Sequence, residues 1–421
     1  MFVSMSNRRF ASAFALALAL AGCGEPPAPG ELVQSSRARN MMPDTTAAER
    51  TQLSRDRARF ALDLYRAAGA ADKGNLFFSP HSISLALGMT FAGARGQTAD
   101  EMRAALAFDL GDRLHPALND LDLRLTAAAA SGDFELRSIN QLFGQKGETF
   151  APTFMDLVAE HYGAGMRALD FARAAEPSRV AINDWVAGVT NNRIKDLIPS
   201  GTITAATRLV LANAIYFNAK WSVPFEKNDT RARAFHLLDG TQVQVPLMSQ
   251  VKNHPYAALD GLAAVELPYR GDKAALLVVV PDPGRFAEIE KSLDGALLDK
   301  IVAALAVKQV DLALPKWTFE ARLPLKQLLI GLGMKLAFDP GEADFTGLGG
   351  RGLFLADVLH KAFVRVDEDG TEAAAATAAV VDLTSIGVGE VTLVVDRPFI
   401  ALLRDRATGA ILFAGRVMDP R

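Results

Sequence analysis

The apolar pattern opens with Phe10–Ala19, set behind Arg8 and Arg9. A helix that spans a bilayer needs about 20 apolar residues, so this run is too short and reads as a secretory signal over residues 1–22. Residues 23–50 are rich in Pro, Ser, Arg and Met and show no periodicity, which predicts a flexible tether. Residues 51–421 carry a globular pattern with no second linker-like shift and no internal repeat. Leu53, Phe60 and Leu64 fall at helical spacing, with Gly69 and Gly74 at the exit. Ser79 then Pro80 predict a helix N-cap, and the helix beyond is apolar almost all round, so it should be buried. Thr98-Ala-Asp-Glu101 has the form of a capping box. Residues 112–130 read as a helix, 136–143 as a strand, 154–161 as a helix, 166–171 as a short strand and 180–193 as a helix. Arg208–Phe217 is β-branched and aromatic, which suits a central strand.

One stretch breaks the rhythm. Residues 366–389 separate the strand-like run Lys361–Val366 from Val391–Val395 and Pro398–Leu403. Loops longer than about 15 residues usually carry function. The alanines of residues 373–379 allow a surface helix. Parity gives another reading. Thr371, Ala373, Ala375, Thr377, Ala379 and Val381 are all small or apolar, while the charges Glu372 and Asp382 share the opposite parity. In an extended chain alternate residues face opposite sides. As a strand, this segment has one face fit for burial and one fit for water. Gly370 stands just ahead of it as a hinge.

Composition narrows the chemistry. The formal net charge is −3, which gives no whole-chain reason to expect nucleic-acid binding. Cys23 is the only cysteine, so the chain forms no intramolecular disulfide and its stability must come from a core. There is no His-Glu-x-x-His and no Gly-x-Ser-x-Gly, and the six histidines lack metal-ligand spacing. Gly347-Leu-Gly-Gly-Arg-Gly352 fits a dinucleotide pattern on paper. It follows no good strand and opens no clear helix, so it reads as a glycine-rich surface loop. The chain is not expected to be an enzyme or to need a cofactor or metal.

Glu368-Asp-Gly-Thr-Glu-Ala-Ala-Ala-Ala-Thr377 resembles the hinge of the reactive-centre loop of inhibitory serpins. Asn75–Thr98, Arg208–Phe225, Pro315-Lys-Trp317, Leu332–Phe345, Arg397-Pro-Phe399 and Gly415-Arg416 are similar to further serpin signatures, in order from about residue 51 to the end. The resemblance implies an α+β serpin fold: three β-sheets, about eight to nine helices and an exposed loop at about 368–390. It implies a suicide-substrate inhibitor of serine endopeptidases, with cysteine endopeptidases as a further target class. The cleaved loop enters the central sheet as a strand and traps the acyl-enzyme. Glu368, Gly370, Thr371, Ala373, Ala375 and Thr377 would form the hinge. Ser79, Ser82, Asn213 and His360 match the buried shutter beneath the place where the sheet parts, and Trp221 matches the breach where insertion starts.

In the family the scissile bond follows the fourteenth residue after the hinge glycine, here Thr384, with Ser385 next. An uncharged, β-branched Thr384 favours elastase-like or subtilisin-like targets over trypsin-like ones. A shift of one residue would present Leu383 and suit chymotrypsin-like enzymes. Leu20-Ala-Gly-Cys23 resembles a bacterial lipobox, which implies lipidation of Cys23 and attachment to a membrane of the cell envelope, with Gly24 favouring the outer membrane. Some serpins bind heparin-like polyanions through a basic helix near residues 112–130. The mixed charge here argues against that. The resemblance also implies a monomer.

A serpin-fold binding protein whose loop is cleaved without trapping is the competing reading. Such members tend to carry prolines, charges or bulky groups in the hinge, and Thr371–Thr377 has none at its odd positions. An inserted strand of about a dozen residues would add on the order of ten hydrogen bonds at ~0.5–1.5 kcal/mol each. That is comparable with the ~5–15 kcal/mol stability of a domain, so the loop-out state would be held by a kinetic barrier. On parity alone, Thr371→Arg is expected to turn an inhibitor into a substrate.

Overall fold

The computed structural model describes residues 26–350, 352–371 and 390–421. Cys23, residues 372–389 and hence Ala373, Ala375, Thr377, Leu383, Thr384 and Ser385 lie outside the described residues.

The chain starts with a short strand β1 (Glu31–Val33) and the long helix α1 (Ala47–Ala71). Strand β2 (Leu76–Phe78) leads into α2 (Pro80–Phe91), whose N-cap Ser79 accepts from the Ser82 N–H. Every residue of α2 from Pro80 to Thr90 is buried, as its all-round apolar pattern requires. Helix α3 (Gly96–Ala105) starts two residues before the expected capping box and has Arg95 at its N-cap. Thr98 and Glu101 cap other segments instead: Thr98 Oγ1 accepts from the Asp344 N–H, and Glu101 accepts from the Lys335 and Leu336 N–H groups. Next come α4 (Leu114–Ala129), β3 (Phe134–Gln145), α5 (Pro152–Tyr162), β4 (Met166–Leu169) and α6 (Phe171–Val189). Helix α6 therefore begins well before the expected residue 180, across an irregular turn at Ala174 and Pro177.

Strand β5 (Leu209–Lys220) is central, with residues 209–217 all buried. It is followed by β6 (Arg231–His236), β7 (Gln242–Leu259), β8 (Leu262–Pro268) and β9 (Ala274–Pro281). Helices α7 (Phe286–Ser292) and α8 (Gly295–Ala304) precede β10 (Ala306–Pro315), β11 (Trp317–Pro324) and α9 (Leu325–Gly331). The chain closes with β12 (Val358–Asp367), the two-residue β13 (Gly370–Thr371), β14 (Val391–Val394), β15 (Phe399–Asp405) and β16 (Ile411–Val417).

The first sheet has the order β1-β4-β3-β5-β13-β12-β11. The second hydrogen-bonded network runs β14-β10-β7-β8-β9-β15-β16-β2, with β6 also on β7. The long β7 joins two groups within it. Gln242–Leu247 pairs with β6 and Leu247–Tyr256 with β10, while Tyr256–Leu259 turns to pair with β8. Divided at β7, the network supplies the second and third sheets of an α+β architecture. The glycine-rich stretch is less of a surface loop than expected: Leu348 is buried, and a Cβ on Gly349 would come within 2.4 Å of the Ala151 nitrogen.

Residues 26–46, expected as part of a flexible tether, lie along the domain. β1 pairs antiparallel with β4 and forms the outer edge of the first sheet, and Pro26 accepts from the Trp185 indole N–H at 3.0 Å. Farther on, Arg37 meets Asp156 and Glu160, and Arg39 meets Asp122. The contacts are polar and backbone-mediated, so they leave no hydrophobic period in the sequence.

Candidate functional site

β13 sits between β5 and β12. Gly370 and Thr371 pair antiparallel with Lys220 and Ala219 on one side, and with Asp367 and Val366 on the other. The hinge is thus already the first two residues of a strand. Only glycine fits at 370, because a Cβ would come within 2.0 Å of the Ala219 carbonyl oxygen. Below β13 the two neighbours continue, and among the described residues no strand lies between them. Farther down they close on each other directly, pairing in parallel from Leu211↔Val358 to Ile215↔Ala362. The sheet is open at one end and shut at the other.

Trp221 stands at the open end. It is 2 % exposed, its indole N–H donates to the Asp367 carbonyl at 2.9 Å, and its ring stacks on Tyr269 at 4.6 Å. The Tyr269 hydroxyl lies 2.6 Å from Thr371 Oγ1. The turn before the hinge is held by charge. Glu368, 4 % exposed, pairs with Lys316 at 2.8 Å and accepts from the Thr230 hydroxyl, while Asp369 pairs with Lys227 at 3.0 Å. Burial alone would raise the Glu368 pKa. The bonds from Lys316 and Thr230 outweigh it and hold the carboxyl below its usual range.

At the closed end, Ser79, Ser82, Asn213 and His360 form one buried network. The Ser79 N–H donates to His360 Nε2 at 3.1 Å, so Nδ1 carries the proton and donates to Asn213 Oδ1. Asn213 Nδ2 donates to Ser82 Oγ and to Asn140 Oδ1, each at 2.6 Å. The Ser82 hydroxyl donates on to Asn140 at 3.4 Å, and the Ser82 N–H donates to Ser79 Oγ. Burial pushes the His360 pKa down to about 3, so the imidazole is neutral. Asn213 and His360 are also register partners across the β5–β12 seam, so this polar cluster bridges the two strands that would part.

Sequence reasoning missed Asn140, Tyr269, Lys316 and Thr230. Each reaches the site from a distant strand or loop; Lys316 stands in the quoted Pro315-Lys-Trp317, yet nothing in that motif pointed to Glu368. Around 112–130 the arginines are turned onto carboxylates: Arg50 and Arg124 share Asp120, and Arg113 pairs with Glu49. Among the described residues no group of three or more His, Cys, Asp or Glu could hold a metal ion, and no helix is long and apolar enough to cross a membrane.

Comparison with known proteins gives this geometry its context. Residues 55–420 match the family model described as "Serpin (serine protease inhibitor)". An uncharacterized serpin-like protein of Thermococcus kodakarensis is 40% identical over 86% of this chain and 84% of its own length. The leukocyte elastase inhibitor of Homo sapiens is 35% identical over 88% of this chain and all of its own. Among solved structures, the native-state crystal structure of the thermophilic serpin tengpin superposes with a TM-score of 0.80 at 26% identity, covering 92% of this chain and 100% of that one. The chain belongs to the serpin family.

Proposed function

We propose that the chain is an irreversible suicide-substrate inhibitor of serine endopeptidases, with its bait in residues 368–390. The protease nucleophile attacks the carbonyl of Thr384, the peptide bond to Ser385 breaks, and an ester joins Thr384 to the enzyme. A cysteine enzyme would form the thioester instead. The freed loop then enters the sheet between β5 and β12 and carries the acyl-enzyme with it before water can hydrolyse the ester.

The register of β13 carries this reading. Thr371 already pairs with both Ala219 and Val366. Continued in step, Ala373 would face Phe217 and Val364, and Ala375 would face Ile215 and Ala362. Thr377 would come between Asn213 and His360, and Ala379 between Leu211 and Val358. All of these sheet partners are buried. The even positions would turn to the half-buried face, bringing Glu372 beside Arg365 and Asp382 beside Arg208 as opposite-charge cross-strand pairs. Position 381 would face Leu209, the first residue of β5. The loop therefore matches the strand end to end, and Thr384 would travel about 40 Å at ~3.3 Å per residue.

Thr384 suits an elastase-like or subtilisin-like pocket, which accords with an elastase inhibitor among the relatives. Cys23 would carry the lipid that attaches the protein to the bacterial envelope. The test is a gel of the soluble chain that starts at residue 24, without the signal and Cys23. It is mixed with neutrophil elastase, subtilisin, chymotrypsin or trypsin and then denatured. A stable band near the summed masses with elastase or subtilisin, and a released peptide starting at Ser385, are expected. Clean cleavage by every enzyme with no such band would overturn the proposal.

A further inference from the structure

The anchor expected at Cys23 and the course of residues 26–46 together fix where a membrane would lie. Only Gly24 and Glu25 stand between that cysteine and Pro26. Three peptide steps reach at most about 11 Å. Acyl chains on Cys23 would hold it at the level of the headgroups, so Pro26 would stand no farther from them than this.

Pro26 is attached to α6. Its carbonyl accepts from the Trp185 indole N–H at 3.0 Å, and a Cβ on Gly188 would come within 3.0 Å of its ring. The attachment continues behind it. Glu31–Val33 pairs with Met166–Ala168 of β4, Arg37 pairs with Asp156 and Glu160 of α5, and the Asn40 N–H donates to the Glu160 carbonyl at 2.8 Å. A Cβ on Gly165 would come within 3.0 Å of Leu32, Val33 and Gln34, so the domain leaves room for this segment where it passes. The surface nearest the anchor is therefore the outer side of α6. Val180, Asp184 and Gly188 are exposed there in four-residue steps, with the half-buried Trp185 beside them. An indole, apolar in its body with one polar N–H, favours the membrane interface. Arg173, Glu176 and Asp184 are exposed on the same helix, so this side would rest on headgroups and not enter the hydrocarbon. The inner side is occupied: Ile182 and Val186 share a buried cluster with Phe143 of β3 and Ala212 of β5.

We infer that the outer side of α6, from Val180 to Gly188, is held against the headgroups of the bilayer in which the Cys23 lipid sits. The first sheet then faces the membrane through α6. A segment 24–46 that came off the domain would instead be a tether of about 26 Å, long enough for the domain to tumble. The inference rests on the lipidation of Cys23 proposed above.

The test uses the lipidated chain in vesicles of phosphatidylethanolamine and phosphatidylglycerol, some of whose lipids carry a nitroxide quencher at the headgroup. Cys23 is the only cysteine and its thiol would be taken by the lipid, so Asp184→Cys on α6, or Ala287→Cys on α7, accepts a single fluorescent dye. Both positions are exposed, and α7 packs on β9 of the second network. Quenching at 184 is expected to be at least about threefold stronger than at 287. A flexible Gly/Ser spacer of about 20 residues, inserted after Glu25, adds reach without altering the domain and should bring the 184 signal down to the 287 level. Equal quenching at the two positions would overturn the inference, as would a 184 signal that the spacer leaves unchanged. The mass of the N-terminal peptide separates the two readings. A Cys23 without acyl chains would sink the lipid reading and the contact with it, whereas an acylated chain with equal quenching would sink the α6 contact alone.

Discussion

The hydroxyls of Tyr269 and Thr371 lie 2.6 Å apart, both buried, and tie the second residue of β13 to the strand-rich body of the molecule. Tyr269 stacks on Trp221, and Trp221 holds the Asp367 carbonyl, so one column of side chains fixes the hinge before any protease arrives. Removing one hydroxyl leaves the other buried without this partner, which costs about 1–3 kcal/mol. Tyr269→Phe should therefore lower the unfolding free energy from urea titration by that much. The double variant Tyr269→Phe/Thr371→Val, apolar on both sides, should recover most of the loss. A double variant as unstable as the sum of the two singles would show that the hydroxyl pair is not the coupled unit.

This contact changes how the insertion register should be tested. Thr371 is already in the sheet of the intact protein, so Thr371→Arg would damage the native state as well as the inserted one. Ala375 would meet Ile215 and Ala362 only after insertion. If the loop inserts only after cleavage, Ala375→Arg is expected to leave the unfolding free energy within about 0.5 kcal/mol of the parent. Covalent product should fall at least tenfold while loop cleavage persists. Retention of parental covalent yield in denaturing gels would refute the register.

The His360 pKa is depressed, to about 3, relative to the usual 6.5. A base that binds its proton less well when folded gives stability that is complete above about pH 6.5 and is lost as pH falls toward 3. The loss is at most about 1.4 kcal/mol per pH unit. His115 and His254, each held down to about 4 by burial, push the same way. The share of His360 is therefore the difference between parent and His360→Gln. Urea midpoints from pH 7.5 to 4.5 should fall less steeply in the variant, and parallel profiles would count against a neutral His360 latch.

Glu368 gives the opposite sign. Its folded pKa is lowered, so its stabilising share is present above about pH 4.5 and fades as pH falls below that value. Lys316→Met removes the 2.8 Å partner while the Thr230 bond remains. The Lys316 side chain is 35% exposed, so the loss should be modest, about 1–2 kcal/mol at pH 7. Thermal melts should show the gap between parent and variant narrowing below pH 4.5.

Several helices and strands ahead of residue 217, among them the buried α2 and the central β5, were legible because they depend on local period and composition. The loop parity was legible for the same reason: a strand's two faces are written two residues apart in the chain. The resemblance then linked Ser79, Ser82, Asn213 and His360, which no spacing joins. What lay outside reach was the partner of each polar group. Thr98 and Glu101 have the letters of a capping box, yet the Asp344, Lys335 and Leu336 N–H groups offer their side chains other bonds, and the helix starts at Gly96.

By itself, the sequence determined that the chain forms no intramolecular disulfide and carries a long loop with one face fit for burial, and its motifs, by resemblance, implied the α+β fold. The first two are set by residue type, size, polarity and period along the chain. Only the tertiary structure decided that Gly370 and Thr371 are already paired, that Asn140 and Tyr269 complete the two ends of the seam, and that residues 26–46 brace the sheet edge instead of hanging free. Each depends on hydrogen bonds between positions distant in sequence, and such bonds have no period. They exist only once the strands have chosen their neighbours.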